Sequence, residues 1–325
     1  MKNFSAEKYL DPLRRAFFIL NLKNKYMKKS KVIVILGQTS TGKSDFAVEI
    51  AKQINGEIVS ADSRQVYKGM DLGTGKITKK EMLGVPHHLL DITSPKKYFS
   101  VSNFQRIANK KIKEILKENK IPIICGGTGF YIDAITNGNV FPEVPPNTKL
   151  REKLSKYTAE KLFEILKELD KDRAKNIDKN NPVRLIRAIE IAKALGSVPK
   201  IKTIEDFDVL KIGLNLPSEI LKKRISVRII NRIKKGMIKE VQNLHNNGLS
   251  WKKMESFGLE YKYISLYLQN KLTKSEMIDK INTETWHYAK RQKTWFKRDQ
   301  NTIWINPFKK TEKAKALKEI KSFLK

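Results

Sequence analysis

The sequence has one cysteine, few acidic residues and no long hydrophobic run. The single Cys125 excludes an internal disulfide framework and a cysteine-based zinc cluster, and this usage is typical of a reducing cytoplasm. No apolar stretch approaches the ~20 residues that a membrane-spanning helix needs. We therefore expect a cytoplasmic protein that has no membrane partner.

Basic residues outnumber acidic ones: the sequence has 66 Lys and Arg and 34 Asp and Glu, a formal net charge of +32. An excess of this size favours a polyanionic partner, and nucleic acid is the usual one. A lysine-rich composition produced by an AT-biased genome is the alternative, and it accounts for part of the excess. If RNA is the cause, binding should weaken steeply as salt rises, because phosphate contacts release counterions.

The 325 residues are enough to bury a sizeable core and to form one large or two modest domains. Residues 1–30 precede the first predicted strand and are expected to be an N-terminal extension. Its apolar residues 17–20 are too few, and their flanks too basic, for a secretory signal. Met27 is an alternative start, which would make residues 1–26 a loose or untranslated extension.

Residues 37–44 read Gly-Gln-Thr-Ser-Thr-Gly-Lys-Ser, the phosphate-binding pattern G-x-x-x-x-G-K-[ST], between a predicted strand and a predicted helix. Gly37 and Gly42 allow backbone N–H groups to turn inward around an anion, and the helix N-terminus adds partial positive charge. Lys43 adds a full charge, and the Ser44 hydroxyl suits Mg²⁺. The predicted phosphate-binding residues are Gly37, Gln38, Thr39, Ser40, Thr41, Gly42, Lys43 and Ser44.

Short apolar segments alternate with helical patterns in this half of the chain. The predicted strands are residues 32–36, 57–60 and 121–125. A helix precedes the third strand, and its start is assigned to a capping box of Ser102 and Gln105. Near-continuous apolar strands separated by helices predict a parallel α/β sheet.

Polar side chains follow the ends of these strands. Ligands bind at the carboxyl ends of parallel strands, so Ser44, Asp62 and Thr128 should converge on one site. Asp62 follows the second strand, which is expected to lie next to the strand before the phosphate loop. An aspartate at such a position is also a common capping residue, which is the structural alternative.

The pattern changes at residues 142–146, after which charged amphipathic helices follow. We therefore predict a P-loop NTPase-like parallel sheet flanked by helices, formed by residues 31–145 and 201–325. An all-helical domain over residues 146–200 is inserted into it. The basic excess should be concentrated on this insertion and on the surface that bears Lys290, Arg291 and Lys297.

The second half of the predicted core contains longer elements. Residues 68–84 read as a loop, and residues 208–216 read as a strand that returns to the sheet. Helices are predicted over residues 218–247 and 274–298, and a short strand over residues 302–305. A basic helix ends the sequence.

Residues 60–71, Ser-Ala-Asp-Ser-Arg-Gln-Val-Tyr-Lys-Gly-Met-Asp, carry a signature beyond the phosphate loop. With them the chain resembles the bacterial tRNA dimethylallyltransferases, which prenylate the adenine next to the anticodon. Further matching segments are residues 37–44, 86–92, 126–131, 181–190 and 289–296. Several motifs in fixed order are far more specific than a phosphate loop alone.

The resemblance implies transfer of a dimethylallyl group from dimethylallyl diphosphate to N6 of the adenine 3′-adjacent to the anticodon. It implies that Asp62 is the general base and that Thr128 lies near the target base. Lys43, Arg224 and Arg228 are expected at the diphosphate, with Mg²⁺ on Ser44. A phosphate loop suits this chemistry, because the departing diphosphate needs its charge neutralised.

The resemblance also implies contacts with a tRNA anticodon stem-loop, made by a monomer. Its contact segments are residues 62–65, 183–187, 255–260 and 290–297. The expected contact residues are Asp62, Ser63, Arg64, Gln65, Thr128, Arg151, Val183, Arg184, Leu185, Ile186, Arg187, Lys290, Arg291, Gln292 and Lys297. Residues 257–259 and Trp286 depart from the family pattern.

Three alternatives remain open on the sequence. A relative that prenylates free adenine nucleotides would share the chemistry, but the insertion and residues 290–297 favour tRNA. A P-loop small-molecule kinase would share residues 37–44 and would not need residues 60–71. A pure RNA-binding module would leave the phosphate loop unexplained.

Overall fold

A computed structural model describes residues 29–325, so residues 1–28 of the predicted extension, with Met27, lie outside the described residues. The chain divides into two compact units, one formed by Asn137–Glu205 and the other by the residues on either side. Within residues 29–325, every helix is too short or too polar to cross a bilayer.

The strands are β1 (Ser30–Gly37), β2 (Gly56–Ser60), β3 (His87–His88), β4 (Ile121–Gly126), β5 (Asn139–Val140), β6 (Lys202–Thr203), β7 (Phe207–Leu214) and β8 (Ile303–Ile305). The first unit contains a six-stranded sheet in the order β3-β2-β4-β1-β7-β8, with every neighbouring pair parallel. The predicted parallel sheet is confirmed. From the sequence, β2 is expected to lie next to β1, the strand before the phosphate loop. In the structure β4 lies between them, so that expectation is wrong.

The helices are α1 (Lys43–Gln53), α2 (Lys79–Met82), α3 (Val101–Lys117), α4 (Gly129–Thr136), α5 (Thr148–Leu154), α6 (Ala159–Leu169), α7 (Lys171–Lys175), α8 (Pro182–Leu195), α9 (Ser218–Lys234), α10 (Met237–Asn246), α11 (Trp251–Phe257), α12 (Leu259–Leu268), α13 (Lys274–Phe296) and α14 (Lys310–Leu324). Alternate residues of β1 face opposite sides of the sheet, as in any strand. Val32 and Val34 pack with helices α3 and α4, whereas Ile33 and Ile35 pack with α1 and α14. Helices α9 to α13 share a further apolar core.

Helix α3 begins at Val101, and its N-cap is Ser100 rather than the predicted Ser102. Ser100 Oγ accepts a hydrogen bond from the Asn103 N–H at 3.1 Å, and Asn103 Oδ1 accepts one from the Ser100 N–H at 3.2 Å. These reciprocal bonds are those of a capping box. In most capping boxes the residue three positions after the N-cap is Glu or Gln. Asn103 takes that position here, so the sequence pattern did not reveal the capping box. Ser102 lies inside the first turn.

The helix predicted over residues 218–247 is two helices, because Gly236 has φ 100° and separates α9 from α10. This left-handed conformation is outside the range of a helix interior and is readily adopted by glycine. The predicted loop over residues 68–84 also contains the short helix α2. Both differences are local and leave the order of the sheet strands unchanged.

The second unit has a small apolar core of its own, built from helices α5 to α8 around Leu162, Leu166 and Leu185. All regular elements within residues 146–200 are helices, while the antiparallel strands β5 and β6 pair at the two ends of the unit. The predicted insertion, residues 146–200, has fourteen Lys and Arg and eight Asp and Glu, a net charge per residue close to that of the whole chain. The sequence of the insertion therefore shows no concentration of basic charge.

Candidate active site

The loop between β1 and α1 has the backbone of an anion cradle. Gly37 has φ 145°, Ser40 has φ 62° and Gly42 has φ 91°. A side chain at Gly37 would also meet the Leu214 carbonyl oxygen, which lies 2.6 Å from where a Cβ would stand. Glycine is therefore required by close approach as well as by backbone angle. The Lys43 ammonium folds back over the loop and donates to the Gln38 carbonyl at 2.7 Å.

Three cations meet at this loop. Arg224 Nε donates to the Ser40 carbonyl at 2.9 Å, and Arg228 Nη1 lies 3.5 Å from Thr39 Oγ1. Both arginines come from α9, one helical turn apart. Among the residues that the structure describes, Lys43, Arg224 and Arg228 have no acidic partner in an ion pair. Partly buried positive charge without a counter-ion favours an anionic ligand.

Arg232 continues the same face of α9 but has another role. Its Nη2 pairs with Glu260 at 3.0 Å, and its Nη1 donates to the carbonyls of Leu72 and Gly73 at 3.0 Å each. The side chain is buried, so this face of α9 is not a solvated basic surface. Arg232 instead secures the loop that precedes α2.

Burial is the main influence on the pKa values of Lys43 and Arg228. Burial lowers the pKa of the Lys43 ammonium to about 8, and the neighbouring Arg228 acts in the same direction. Burial likewise lowers the pKa of Arg228, with Arg232 contributing. An anion bound in the cradle would favour the charged form of each group and raise its pKa.

Strand β4 brings the other predicted residues to the phosphate loop. Gly126 must lack a side chain, because the Ala61 carbonyl oxygen lies 2.2 Å from where its Cβ would stand. The Thr128 N–H donates to the same oxygen at 3.2 Å, and Thr128 Oγ1 accepts from the Ser63 N–H at 3.0 Å. The residues after β2 and those after β4 are thus joined directly. Ser44, Asp62 and Thr128 all follow strands at this one edge of the sheet.

The two oxygens of the Asp62 carboxylate differ in their hydrogen bonds. Oδ1 accepts from the N–H groups of Arg64 and Gln65, at 2.8 and 3.3 Å. Within residues 29–325, no hydrogen bond engages Oδ2. Residues 63–66 form a turn and not a helix, so Oδ1 stabilises a turn where the alternative had a helix cap, and the other oxygen remains available to a substrate.

Gln292 is inside the site and not at an RNA surface. Its Oε1 accepts from the Thr39 N–H at 2.8 Å and its Nε2 donates to the Gly127 carbonyl at 2.8 Å. The residue is 5% exposed. Its predicted contact with RNA is therefore wrong, since both ends of the carboxamide bond to the main chain inside the protein.

Tyr288, one turn earlier on α13, was not predicted as a site residue. Its hydroxyl lies 3.4 Å from the Gly127 carbonyl, and burial with the nearby Asp62 carboxylate raises its pKa. Gln38 Nε2 donates to the carbonyl of Ala289 on the same helix at 3.0 Å. These contacts join residues about 160 to 250 positions apart in the chain, so no local pattern reveals them. Residues 290–297 were expected from the sequence to contact RNA, and support of the phosphate loop by this helix was not predicted.

Several predicted RNA-contact residues of the first unit are accessible. Lys290, Arg291 and Lys297 are exposed near the C-terminal end of α13. Arg64 is held more firmly, since its Nε donates to the Phe257 carbonyl at 3.0 Å and its guanidinium lies 5.5 Å from the centre of the Phe257 ring. Gln65 Oε1 accepts from the Ser60 hydroxyl at 3.2 Å.

In the second unit the predicted contact residues differ in accessibility. Arg151 bonds to the buried Glu190 through Nε and Nη2, at 3.0 and 2.8 Å, and Arg187 pairs with the same carboxylate. Burial opposes ionisation of Glu190, but the hydrogen bonds from Arg151 and the Asn147 N–H hold its pKa below its usual value. The two arginines thus serve the core of this unit.

The remaining residues of that segment divide by helical position. Val183 and Arg184 are exposed in the first turn of α8, and Arg184 lies 3.9 Å from Asp178. Leu185 is fully buried and Ile186 is half-buried. The Leu185 side chain therefore has no surface to offer to RNA, contrary to its prediction.

Two histidines that lack metal-ligand spacing have structural partners. His88 Nε2 lies 2.6 Å from Glu57 Oε2, and His87 Nδ1 lies 2.8 Å from the Val85 carbonyl oxygen. Trp295 donates to Asp133 at 2.9 Å and packs over Gly129, where a Cβ would lie 2.3 Å from the indole. The histidine contact with Glu57 joins β3 to β2, whereas Trp295 packs at the start of α4, directly after Thr128.

A parallel sheet with a glycine-rich phosphate loop between β1 and α1 is the architecture of a P-loop-like enzyme. A family model described as IPP transferase matches residues 65–299. The chain belongs to this family.

Known relatives cover most of the chain. A protein named tRNA dimethylallyltransferase 2 from Treponema denticola is 43% identical, over 86% of this chain and 95% of its own length. The solved tRNA isopentenylpyrophosphate transferase of Bacillus halodurans is 34% identical with a TM-score of 0.70, covering 91% of this chain and 97% of its own. A eukaryotic dimethylallyltransferase, solved acting on tRNA, is 26% identical with a TM-score of 0.79, covering 91% and 79%.

The low pKa of Lys43 predicts that diphosphate binding depends on pH. Above pH about 8 the empty site loses the Lys43 proton, and an anion must recover it on binding. The Kd of Mg²⁺-diphosphate, measured by calorimetry, should rise above pH 8 by at most about tenfold per pH unit. Lys43→Met controls for titration of the ligand itself. Parallel pH profiles for the two proteins would contradict the prediction.

Proposed function

We propose that this chain is a tRNA dimethylallyltransferase. It transfers the dimethylallyl group of dimethylallyl diphosphate to N6 of the adenine 3′-adjacent to the anticodon and releases diphosphate. The observation that carries the proposal is the free Oδ2 of Asp62 at the same sheet edge as a cradle of unpaired cations. Membership of the IPP transferase family, and relatives named for this reaction, support it.

The reaction needs one bond to form and one to break. The N6 lone pair attacks the allylic carbon, the carbon–oxygen bond breaks, and its electron pair leaves with the diphosphate. Lys43, Arg224 and the loop N–H groups stabilise the charge that develops on the leaving oxygen. Asp62 Oδ2 accepts the proton that N6 loses, while Oδ1 keeps the carboxylate oriented through the N–H groups of Arg64 and Gln65. Thr128 Oγ1 accepts from the N–H of Ser63, the residue after Asp62, and its hydroxyl helps to hold N6.

The residues present fit a magnesium ion. Ser44 offers an exposed hydroxyl oxygen in the first turn of α1, next to a cradle of backbone N–H groups. Mg²⁺ prefers oxygen ligands, and commonly takes few from the protein and the rest from water and phosphate. When bound, it would neutralise charge on the diphosphate. Ser44 would hold the ion, and Lys43 would share the same phosphate oxygens.

The RNA must present its adenine outside the base stack, since the acceptor nitrogen is not reachable within it. We propose that Lys290, Arg291 and Lys297 bind phosphates of the anticodon stem-loop, with Asp62, Ser63 and Thr128 at the adenine. Val183 and Arg184 of the insertion offer a second, separate RNA contact. The enzyme is proposed to act as a monomer in the cytoplasm.

The direct test is incubation of the protein with anticodon stem-loop RNA, dimethylallyl diphosphate and Mg²⁺, followed by mass spectrometry. We expect one added dimethylallyl group, located on the adenine after the anticodon. Addition to free adenosine monophosphate but not to RNA would favour the nucleotide prenyltransferase. ATP turnover without prenyl transfer would favour a kinase. Either result would overturn the proposal.

Asp62→Asn should slow chemistry more than binding. Asparagine keeps the acceptor for the Arg64 and Gln65 N–H groups but cannot take a proton. A general base contributes about 10²–10⁴-fold, so kcat should fall by that factor while the RNA Kd changes little. Single-turnover rates and filter-binding affinities measure the two quantities.

Ser44→Ala is the matched comparison for Asp62→Asn, because it should weaken Mg²⁺-dependent diphosphate binding as well as the rate. An Asp62→Asn protein with an intact kcat and a lowered Tm would show instead that Asp62 only stabilises the turn that follows β2.

A further inference from the structure

Phe308 is an exposed aromatic residue at the phosphate loop. It lies between β8 and α14, beyond the residues 65–299 that the family model matches, and 55% of its surface is exposed. Its ring Cζ is 3.4 Å from where a Cβ on Gly42 would stand. The ring therefore borders the cradle at the glycine that precedes Lys43.

The short loop that carries Phe308 is fixed by hydrogen bonds. The Phe308 N–H donates to Asn306 Oδ1 at 3.0 Å, and the Asn306 N–H donates to Glu312 Oε2 at 2.6 Å. Glu312 belongs to the first turn of α14, which packs under the sheet through Ala316 and Ile320. The position of the ring is thus tied to the core and not to the surface.

The ring holds one of the three site cations. The Arg224 guanidinium lies 4.5 Å from the ring centre, and Arg224 Nε donates to the Ser40 carbonyl at 2.9 Å. A cation at this distance is attracted by the negative face of the ring. One face and one nitrogen of the guanidinium are then engaged. Within the part of the chain that the structure describes, no hydrogen bond engages either Nη.

We propose that Phe308 is a positioning residue for diphosphate, which it orients through Arg224. The ring and the Ser40 carbonyl fix the guanidinium plane, so that its two Nη groups form a ready fork for phosphate oxygens. An arginine held before binding loses less conformational entropy when the ligand arrives. This inference rests on the proposed function, since it takes the anion to be diphosphate.

Three substitutions separate this role from simple packing. Phe308→Leu keeps apolar bulk and removes the ring face, whereas Phe308→Trp keeps a ring with a stronger attraction for cations. The control is Leu195→Ala, which removes an exposed apolar side chain in the other compact unit. The probe is inorganic diphosphate with Mg²⁺, measured by calorimetry, so that no prenyl transfer is required.

We expect Phe308→Leu to weaken diphosphate binding about threefold to tenfold, with an unchanged Tm. Phe308→Trp should restore the affinity, and Leu195→Ala should leave it as in the native protein. In an Arg224→Met background, Phe308→Leu should have no further effect, because the two residues act through one interaction.

Undiminished affinity in Phe308→Leu would overturn the inference. So would an equal loss in the Arg224→Met background, because Phe308 would then act independently of Arg224. Failure of the proposed function is a separate result: the native protein would bind diphosphate normally and transfer no dimethylallyl group to RNA.

Discussion

The carboxamide of Gln292 is the contact on which the geometry of the site depends. It bonds at 2.8 Å to the Thr39 N–H on one side and at 2.8 Å to the Gly127 carbonyl on the other. Thr39 belongs to the loop after β1, and Gly127 follows the adjacent strand β4. A Cβ at Gly127 would lie 2.4 Å from Gln292 Nε2, so a side chain there would displace the carboxamide. One buried amide thus fixes the phosphate cradle against the turn that leads to Thr128 and, through it, to Asp62.

The same helix serves both proposed substrates. Along α13, Gln292 and Ala289 face the phosphate loop, while Lys290 and Arg291 are exposed on the other side. The cations at the cradle and those of the insertion differ in their ion-pair partners. Among the described residues, the partly buried cations at the cradle have no acidic partner, whereas Arg151 and Arg187 of the insertion both pair with Glu190. Net charge therefore indicates a polyanionic partner but not where it binds.

The features that the sequence predicted correctly are those that depend on a few neighbouring residues. The glycine spacing of residues 37–44 and the apolar strands gave the cradle and the parallel sheet, because both follow from backbone angles and burial over a few residues. The order of β4 between β1 and β2 did not follow, since it depends on contacts across the whole unit. For the same reason Gln292 was predicted to contact RNA, and no sequence pattern placed Phe308 or Tyr288 at the site. Leu185 was misassigned because a motif does not show which face of a helix is buried.

The central claim is that Gln292 preorganises the site, and a single-turnover measurement of Gln292→Leu tests it most directly. Leucine fills a similar volume but removes the acceptor of the Thr39 N–H, and it leaves the buried Gly127 carbonyl only the longer contact with the Tyr288 hydroxyl at 3.4 Å. A buried main-chain group left unsatisfied costs about 1–3 kcal/mol. Gln300→Leu, at an exposed position, is the control. Below the melting temperature of the variant, we predict a prenyl-transfer rate at least about tenfold lower and weaker Mg²⁺-diphosphate binding, with the control unchanged. A folded Gln292→Leu protein that binds and transfers at native rates would contradict the account.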